Sequence, residues 1–234
     1  MINNWPEIIQ NWMFPPTCTL CGDPGAAGLD LCAACAAALP RLAATCPLCG
    51  LPLTATDIGA CGICQKTPPP FDSLQSAFAY EEPVRFLIQS LKFGAHYPHA
   101  RLLGSLLAGS VATAGSPPEV IIPVPLHPLR YRERGFNQAL EISRTVSEKT
   151  GIAVDFTCCH RLRETGSQTR LTALSRRKNV RNAFGTHDKR IPYRHVAILD
   201  DVVTTAATVG ALAATLRRAG AERIDVWACA RALR

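Results

Sequence analysis

Short apolar runs alternate along this chain with longer stretches in which apolar residues recur at helical spacing. Val196-Ala197-Ile198-Leu199 is a run of the kind that fills a strand buried on both faces, and it stops at two adjacent carboxylates, Asp200 and Asp201. Beyond Thr204, Thr205 and Thr208, the residues Val209, Leu212, Ala213 and Leu216 predict a helix that closes with Arg217, Arg218 and a glycine stop at Gly220. Ile224 to Ala230 reads as a second strand. Upstream, Ser76 to Tyr80 and Val120 to Pro125 read as strands, and Thr157 to His160 as another. Val84, Leu87, Ile88 and Leu91 make one helical face, and Leu102, Leu103, Leu106 and Leu107 a second. Strands alternating with helices imply an α/β fold with a parallel sheet. The adjacent pair Cys158 and Cys159, and Cys229 on the last strand, fit core positions.

The turn after Leu199 is where chemistry is expected. A loop that leaves a parallel strand and enters a helix aims its backbone N–H groups, and the positive end of the helix dipole, at one spot, which suits an anion. Thr204, Thr205 and Thr208 add hydroxyl donors for phosphate oxygens, whereas Asp200 and Asp201 would repel a phosphate and suit a diol. A sugar phosphate meets both demands, although acids and threonines also follow strands that bind nothing. A second basic stretch, Leu129 to Gln138, places Arg130, Arg132 and Arg134 just after the Val120 strand, where forked guanidiniums suit phosphate oxygens.

The cysteines add a separate module. Eight of the eleven form four C-x-x-C pairs before residue 65: Cys18/Cys21, Cys32/Cys35, Cys46/Cys49 and Cys61/Cys64. Ten residues separate the first two pairs and eleven the last two, which is zinc-ribbon spacing. Thioredoxin-type redox motifs come singly, so four pairs argue for two structural Zn2+ ions. Pairing first with second and third with fourth, or in a crossed arrangement, is left open by the spacing. Lys66-Thr67-Pro68-Pro69-Pro70 is a stiff linker, so residues 1–67 read as a short helix near Ile8, Ile9 and Trp12 plus the cysteine module, and residues 71–234 as the α/β domain.

Charge sharpens the picture. The net charge of +7 is concentrated in residues 127–195, which hold fifteen Lys/Arg against six Asp/Glu, a field that suits a pyrophosphorylated sugar or a nucleic-acid backbone. Every apolar run falls short of the roughly 18 residues of a membrane span, and the first residues lack a basic secretory n-region. No membrane insertion and a cytoplasmic location are therefore expected, where paired cysteines bind metal.

The strand, acid pair and threonine loop together resemble the type I phosphoribosyltransferases. The Val120-Ile-Ile-Pro-Val-Pro turn is similar to the pyrophosphate loop of glutamine-dependent amidophosphoribosyltransferases. With the cysteine module, the KTPPP linker, the RERGFNQ stretch, the R-x-R-x-T-x-x-Q segment and the DDVVTT loop, nearly the whole chain resembles the ComF/GntX family, associated with competence for DNA uptake or with the use of DNA as a nutrient. The resemblance implies a type I phosphoribosyltransferase fold behind a double zinc ribbon, with phosphoribosyl pyrophosphate (PRPP) and Mg2+ as ligands. Asp200 and Asp201 would hold the ribose hydroxyls, and Thr204, Thr205, Ala206, Ala207 and Thr208 would wrap the 5-phosphate. Arg130, Arg132 and Arg134 would stabilise the departing pyrophosphate. Gln168, Leu171, Arg176, Arg177, Lys178 and Asn179 would belong to a lid. Such loops carry glycine where this chain has Ala206, which keeps the small size but loses easy access to positive φ. No acceptor-recognition element is evident, so a PRPP-responsive protein that grips single-stranded DNA, in company with other DNA-uptake proteins, stands beside the enzyme reading.

Overall fold

The computed structural model describes residues 15–54, 59–111, 116–163 and 182–233. The helix expected near Ile8, Ile9 and Trp12 and the lid residues Gln168 to Asn179 lie outside them.

Two one-turn helices, α1 (Ala33–Ala37) and α2 (Gly62–Lys66), belong to the cysteine region. The sheet is built from β1 (Ser73–Ala79), β2 (Val120–Pro123), β3 (Ala153–Val154), β6 (His195–Val203) and β7 (Arg223–Arg231), all parallel, in the order β1-β7-β6-β2-β3. Strands β4 (Cys159–Arg161) and β5 (Phe184–Thr186) form a separate antiparallel pair. The α/β architecture behind a small cysteine-rich module is the class that the sequence pattern implies.

Side chains alternate across the sheet. From β6, Val196 and Ile198 enter one apolar layer and Ala197 and Leu199 the other. The first layer is closed by α7 (Ala207–Arg218), through Val209, Leu212 and Leu216, together with Cys159 and Phe184 of the small hairpin. The second is closed by α3 (Val84–Gly94), α4 (Tyr97–Ser110) and α6 (Gln138–Thr150). Helices α4 and α6 approach so closely that a Cβ on Gly104 would lie 2.7 Å from the Thr145 Cβ, so only glycine fits there. Cys229 is fully buried in this second layer, as expected of a core position.

β6 extends beyond its expected end. The strand continues through Asp200 and Asp201 to Val203, because β7 supplies ladder partners for Asp200, Val202 and Val203 in Ala228, Ala230 and Arg231. Ladder pairing offsets the poor strand propensity of the acids. Arg130, Arg132 and Arg134 lie not in a loop but on α5 (Pro128–Arg134), which starts with a proline in its first turn and ends at Gly135, φ 80°.

The cysteine module docks on the edge strand and on the second layer. Leu74 N–H donates to the Pro47 carbonyl and Ala79 N–H to the Pro40 carbonyl, each at 2.8 Å. Cys18, Leu31, Cys32 and Leu39 share the apolar layer of Phe78 and Leu103. Arg231, 2 % exposed, donates through Nε to the Cys49 carbonyl at 2.7 Å and through Nη1 to the carbonyls of Val203 (3.0 Å), Ala232 (3.1 Å) and Thr204. One buried guanidinium thus joins the second cysteine cluster to the start of the threonine loop.

Candidate ligand site and metal centres

From β2 the chain moves outward to β3, then returns across the sheet to β6 and continues to β7 on the other side. The order therefore reverses between β2 and β6, and in open α/β sheets the crevice at the carboxyl ends of two such strands is the place for a ligand. β2 delivers α5 there and β6 delivers the acid pair and the threonine loop. The two strands stay in register to the last residue, with Pro123 beside Leu199 and Val124 N–H donating to the Leu199 carbonyl at 2.9 Å. Asn137 fixes the next helix to the same spot. Its side chain accepts from Ala139 N–H at 3.0 Å as the cap of α6 and donates to the Val124 carbonyl at 3.0 Å.

Because side chains alternate along β6, the two acids face opposite sides of the sheet. Asp200, partly exposed, lines a small cleft with Val203, Thr204, Ala206, Ala207 and Thr208. Ala206 takes φ 58° and ψ 12°, the left-handed path that glycine adopts freely, and it immediately precedes α7. Ala207 N–H donates to Thr205 Oγ1 at 3.4 Å. The loop therefore sets Thr204, Thr208 and the opening of α7 around one cleft beside the Asp200 carboxylate, while Thr205 does not line it.

Asp201 points the other way and is 3 % exposed. The Lys92 ammonium of α3 forms an ion pair with its Oδ2, and Gln138 Nε2 of α6 approaches its Oδ1 at 3.5 Å. Gln138 in turn accepts from Arg134 Nη1 at 2.7 Å, so α3, α5 and α6 meet at this carboxylate. Burial alone would push the Asp201 carboxyl up, but the Lys92 charge and hydrogen bond reverse this and hold it below the ordinary aspartate value. For Asp200, burial and the neighbouring Asp201 charge act together and raise its pKa well above that value. The Lys92 pKa is raised, because Asp201 and Asp200 outweigh its desolvation.

Beside Lys92 lies a cavity of about 200 Å³ lined also by Phe93, Arg130, Glu133, Arg134 and Phe136. Arg134 sits 5.8 Å from the centre of the Phe93 ring and Arg130 pairs with Glu133 at 3.1 Å. Arg132 does not line this cavity. At about 100° per residue, a helix puts positions 130 and 134 on one face and 132 on the far side, where the Arg132 side chain is exposed. The structure thus brings together two of the three expected arginines and adds Lys92 and Gln138, which the sequence reading did not place in the site. A signal for Lys92 existed: it stands four residues after buried Ile88 and directly after buried Leu91, so helical spacing sets it on the flank of the apolar stripe.

The eight module cysteines form two clusters, Cys18/Cys21/Cys32/Cys35 and Cys46/Cys49/Cys61/Cys64, so the pairing is sequential. Within each, the four sulfurs lie within 4.8 Å of one another, and Sγ–Sγ distances of 3.6 Å (Cys21–Cys32) and 3.7 Å (Cys49–Cys61) match the roughly 3.8 Å edge of a tetrahedron with Zn–S near 2.3 Å. The residues fit zinc. In each cluster the first C-x-x-C turn is followed by a glycine at positive φ, Gly22 at 83° and Gly50 at 68°. Burial would raise the Cys18 thiol, but N–H groups of Cys32, Leu20 and Cys21 outweigh it and bring it to about 6; similar donors bring Cys46 to about 7. Each cluster thus has one cysteine whose sulfur meets N–H donors that favour the thiolate form a cation needs. All four sulfurs of a set are needed to close the shell, so these are structural centres.

A parallel sheet whose strand order reverses between β2 and β6, carrying a module of two four-cysteine centres, defines a zinc-ribbon α/β protein. The chain belongs to the ComF/GntX family. Residues 9–66 match the Double zinc ribbon domain family. The "DNA utilization protein YhgH" of Salmonella typhi is 36% identical over 225 residues, covering 94% of this chain and 98% of that protein, and its Escherichia coli (strain K12) counterpart gives the same figures. "Competence protein F" of Haemophilus influenzae is 38% identical over 179 residues, 74% of this chain and 78% of that protein. Among the described residues no helix is long and apolar enough to cross a membrane.

Proposed function

We propose that this chain is a PRPP-binding phosphoribosyltransferase-type protein that serves the handling or utilisation of DNA. The observation that carries the ligand assignment is the division of the site at the β2/β6 reversal. A carboxylate and a hydroxyl-bearing loop at the mouth of α7 share one cleft, and three cationic side chains share a cavity whose Lys92 pairs with the adjoining Asp201. PRPP has this distribution of chemistry: a diol and a 5-phosphate at one end and a pyrophosphate at the other. The DNA context comes from the names of relatives that align over most of the chain.

In this reading residues 1–67 are a zinc-held platform and residues 71–234 bind the ligand. The threonine loop anchors the 5-phosphate and the acid side of the cleft orients the ribose. In transfer, the C1–O bond to pyrophosphate breaks with its electron pair leaving on pyrophosphate, and a lone pair on a nitrogen of the acceptor base forms the bond to C1, that nitrogen releasing its proton to solvent or pyrophosphate where it carries one. Magnesium, entering with PRPP, would neutralise part of the pyrophosphate charge. Arg130 and Arg134 supply fixed positive charge where the negative charge of the leaving group develops. In this reading the threonine loop, Asp200 and the cationic cavity hold PRPP in the same way whichever base accepts.

The test is turnover of magnesium–PRPP with a panel of purine, pyrimidine and pyridine bases, scored by pyrophosphate release, beside the shift in melting temperature that PRPP causes. Base-dependent release supports the enzyme. A PRPP-induced shift without release leaves a PRPP-responsive binding protein, and the absence of both removes the proposal.

A further inference from the structure

The two acids do not have the same surroundings, and the difference assigns a role to a residue outside the acid pair. Asp200 faces the threonine-loop cleft and stays partly exposed. Asp201 has one oxygen paired with the Lys92 ammonium and the other approached by Gln138, and its side chain is only 4% exposed, so burial rather than lack of acceptor sites keeps it from a sugar hydroxyl. The Lys92 side chain is 21% exposed and lines the cavity that holds Arg130 and Arg134. An ammonium has three donors, and the ion pair with Asp201 uses one. The buried carboxylate thus anchors a lysine that also lines a cavity with Arg130 and Arg134 and keeps donors beyond the ion pair.

We propose that Lys92, held in place by Asp201, is a binding residue for the diphosphate of a phosphoribosyl pyrophosphate ligand, and that Asp200 alone of the acid pair meets the ribose diol. This rests on the PRPP reading above and refines it. Lys92 and Arg134 converge on the cavity from α3 and α5, tied together through Asp201 and Gln138, so that the diphosphate meets a preset pair of cations. A fixed ammonium and a fixed guanidinium suit adjacent phosphoryl oxygens better than two mobile surface chains would, because little side-chain freedom is lost on binding. The ion pair with Asp201 also keeps that carboxylate from repelling the diphosphate.

The experiment compares three titrants, magnesium–PRPP, ribose 5-phosphate and inorganic pyrophosphate, by calorimetry on the full zinc-loaded chain. Lys92→Met alone would leave Asp201 buried without its partner, so the second variant is Lys92→Met with Asp201→Asn, which removes both charges together. In the double variant, affinity for PRPP and pyrophosphate should fall about tenfold or more, as expected for loss of a charge-assisted hydrogen bond. Ribose 5-phosphate should stay within about twofold. Asp200→Asn should weaken ribose 5-phosphate and PRPP alike and leave pyrophosphate unchanged. Equal losses for ribose 5-phosphate and PRPP in the double variant, or no loss for either, overturn the Lys92 assignment while PRPP binding by the wild type stands. A wild-type chain that binds neither PRPP nor ribose 5-phosphate overturns the PRPP reading itself, and this proposal with it.

Discussion

Replacing Arg231 by methionine should destabilise the whole chain, because one buried guanidinium connects three parts of it. Methionine fills much of the same volume, so the loss is mainly of hydrogen bonds rather than of packing. Arg231 donates to the carbonyls of Cys49, Val203, Thr204 and Ala232, and its burial leaves no water to replace these bonds. Bonds from a charged donor contribute about 1.5 to 3 kcal/mol each when removed singly. Methionine also avoids the cost of burying the guanidinium, several kcal/mol, which offsets much of that sum. A net loss of about 3 kcal/mol results. For a chain of this size, each kcal/mol lowers the melting temperature by roughly 2 to 4 °C, so the zinc-loaded variant should melt about 6 to 12 °C lower. Differential scanning calorimetry in the presence of zinc measures this directly. Zinc stoichiometry should stay the same, because Arg231 touches the carbonyl of Cys49 and not its sulfur. A fall of less than about 2 °C would refute the view that this residue joins the module to the sheet.

Other outcomes follow from the same geometry. Elemental analysis should find about two zinc ions per chain, and their removal by a strong chelator should lower stability, since eight thiolates complete two shells; zinc-free protein of unchanged stability would contradict this. Ala206→Gly should raise stability by about 0.5 to 1 kcal/mol, because a left-handed residue costs alanine about 1 to 2 kcal/mol and glycine returns part of that as lost order; a lower denaturant midpoint would show that the backbone there is unstrained. Asp155 is raised by burial but lowered overall by donors from Thr157, Cys158 and Tyr193. Its stabilisation is therefore present above the ordinary aspartate value near 4 and lost as pH falls through the lowered one. Asp155→Asn should accordingly melt below wild type at pH 7, with the gap narrowing as pH falls below about 4, and a gap that does not narrow would refute the cause assigned.

Much of the frame could be read from residue pattern, because each legible element announced itself locally. The β6, α7 and β7 sequence combined an apolar run, a helical stripe and a glycine stop, and the cysteine spacing carried the two metal sets. What escaped reading depended on partners far away in sequence. β6 runs past its acids only because Ala228, Ala230 and Arg231 of β7 lie alongside. The basic stretch after β2 coils into a helix, and that geometry separates Arg132 from Arg130 and Arg134. Lys92 and Gln138 reach Asp201 from helices 109 and 63 positions away in the chain, so no local pattern joined them. The different surroundings of Asp200 and Asp201 are likewise invisible in a pair of identical letters. They follow from strand alternation and from which helix covers each face.

The central claim is that Asp200 and the threonine loop at the end of β6 form a phosphoribosyl-ligand site. Its most direct test is a calorimetric titration of the zinc-loaded chain with magnesium–PRPP, repeated on Asp200→Asn. The account predicts one molecule bound per chain by the wild type and a loss of about tenfold or more in the variant, with the variant's melting temperature in the absence of ligand close to that of the wild type. No binding by the wild type, or equal affinity in both proteins, would contradict it.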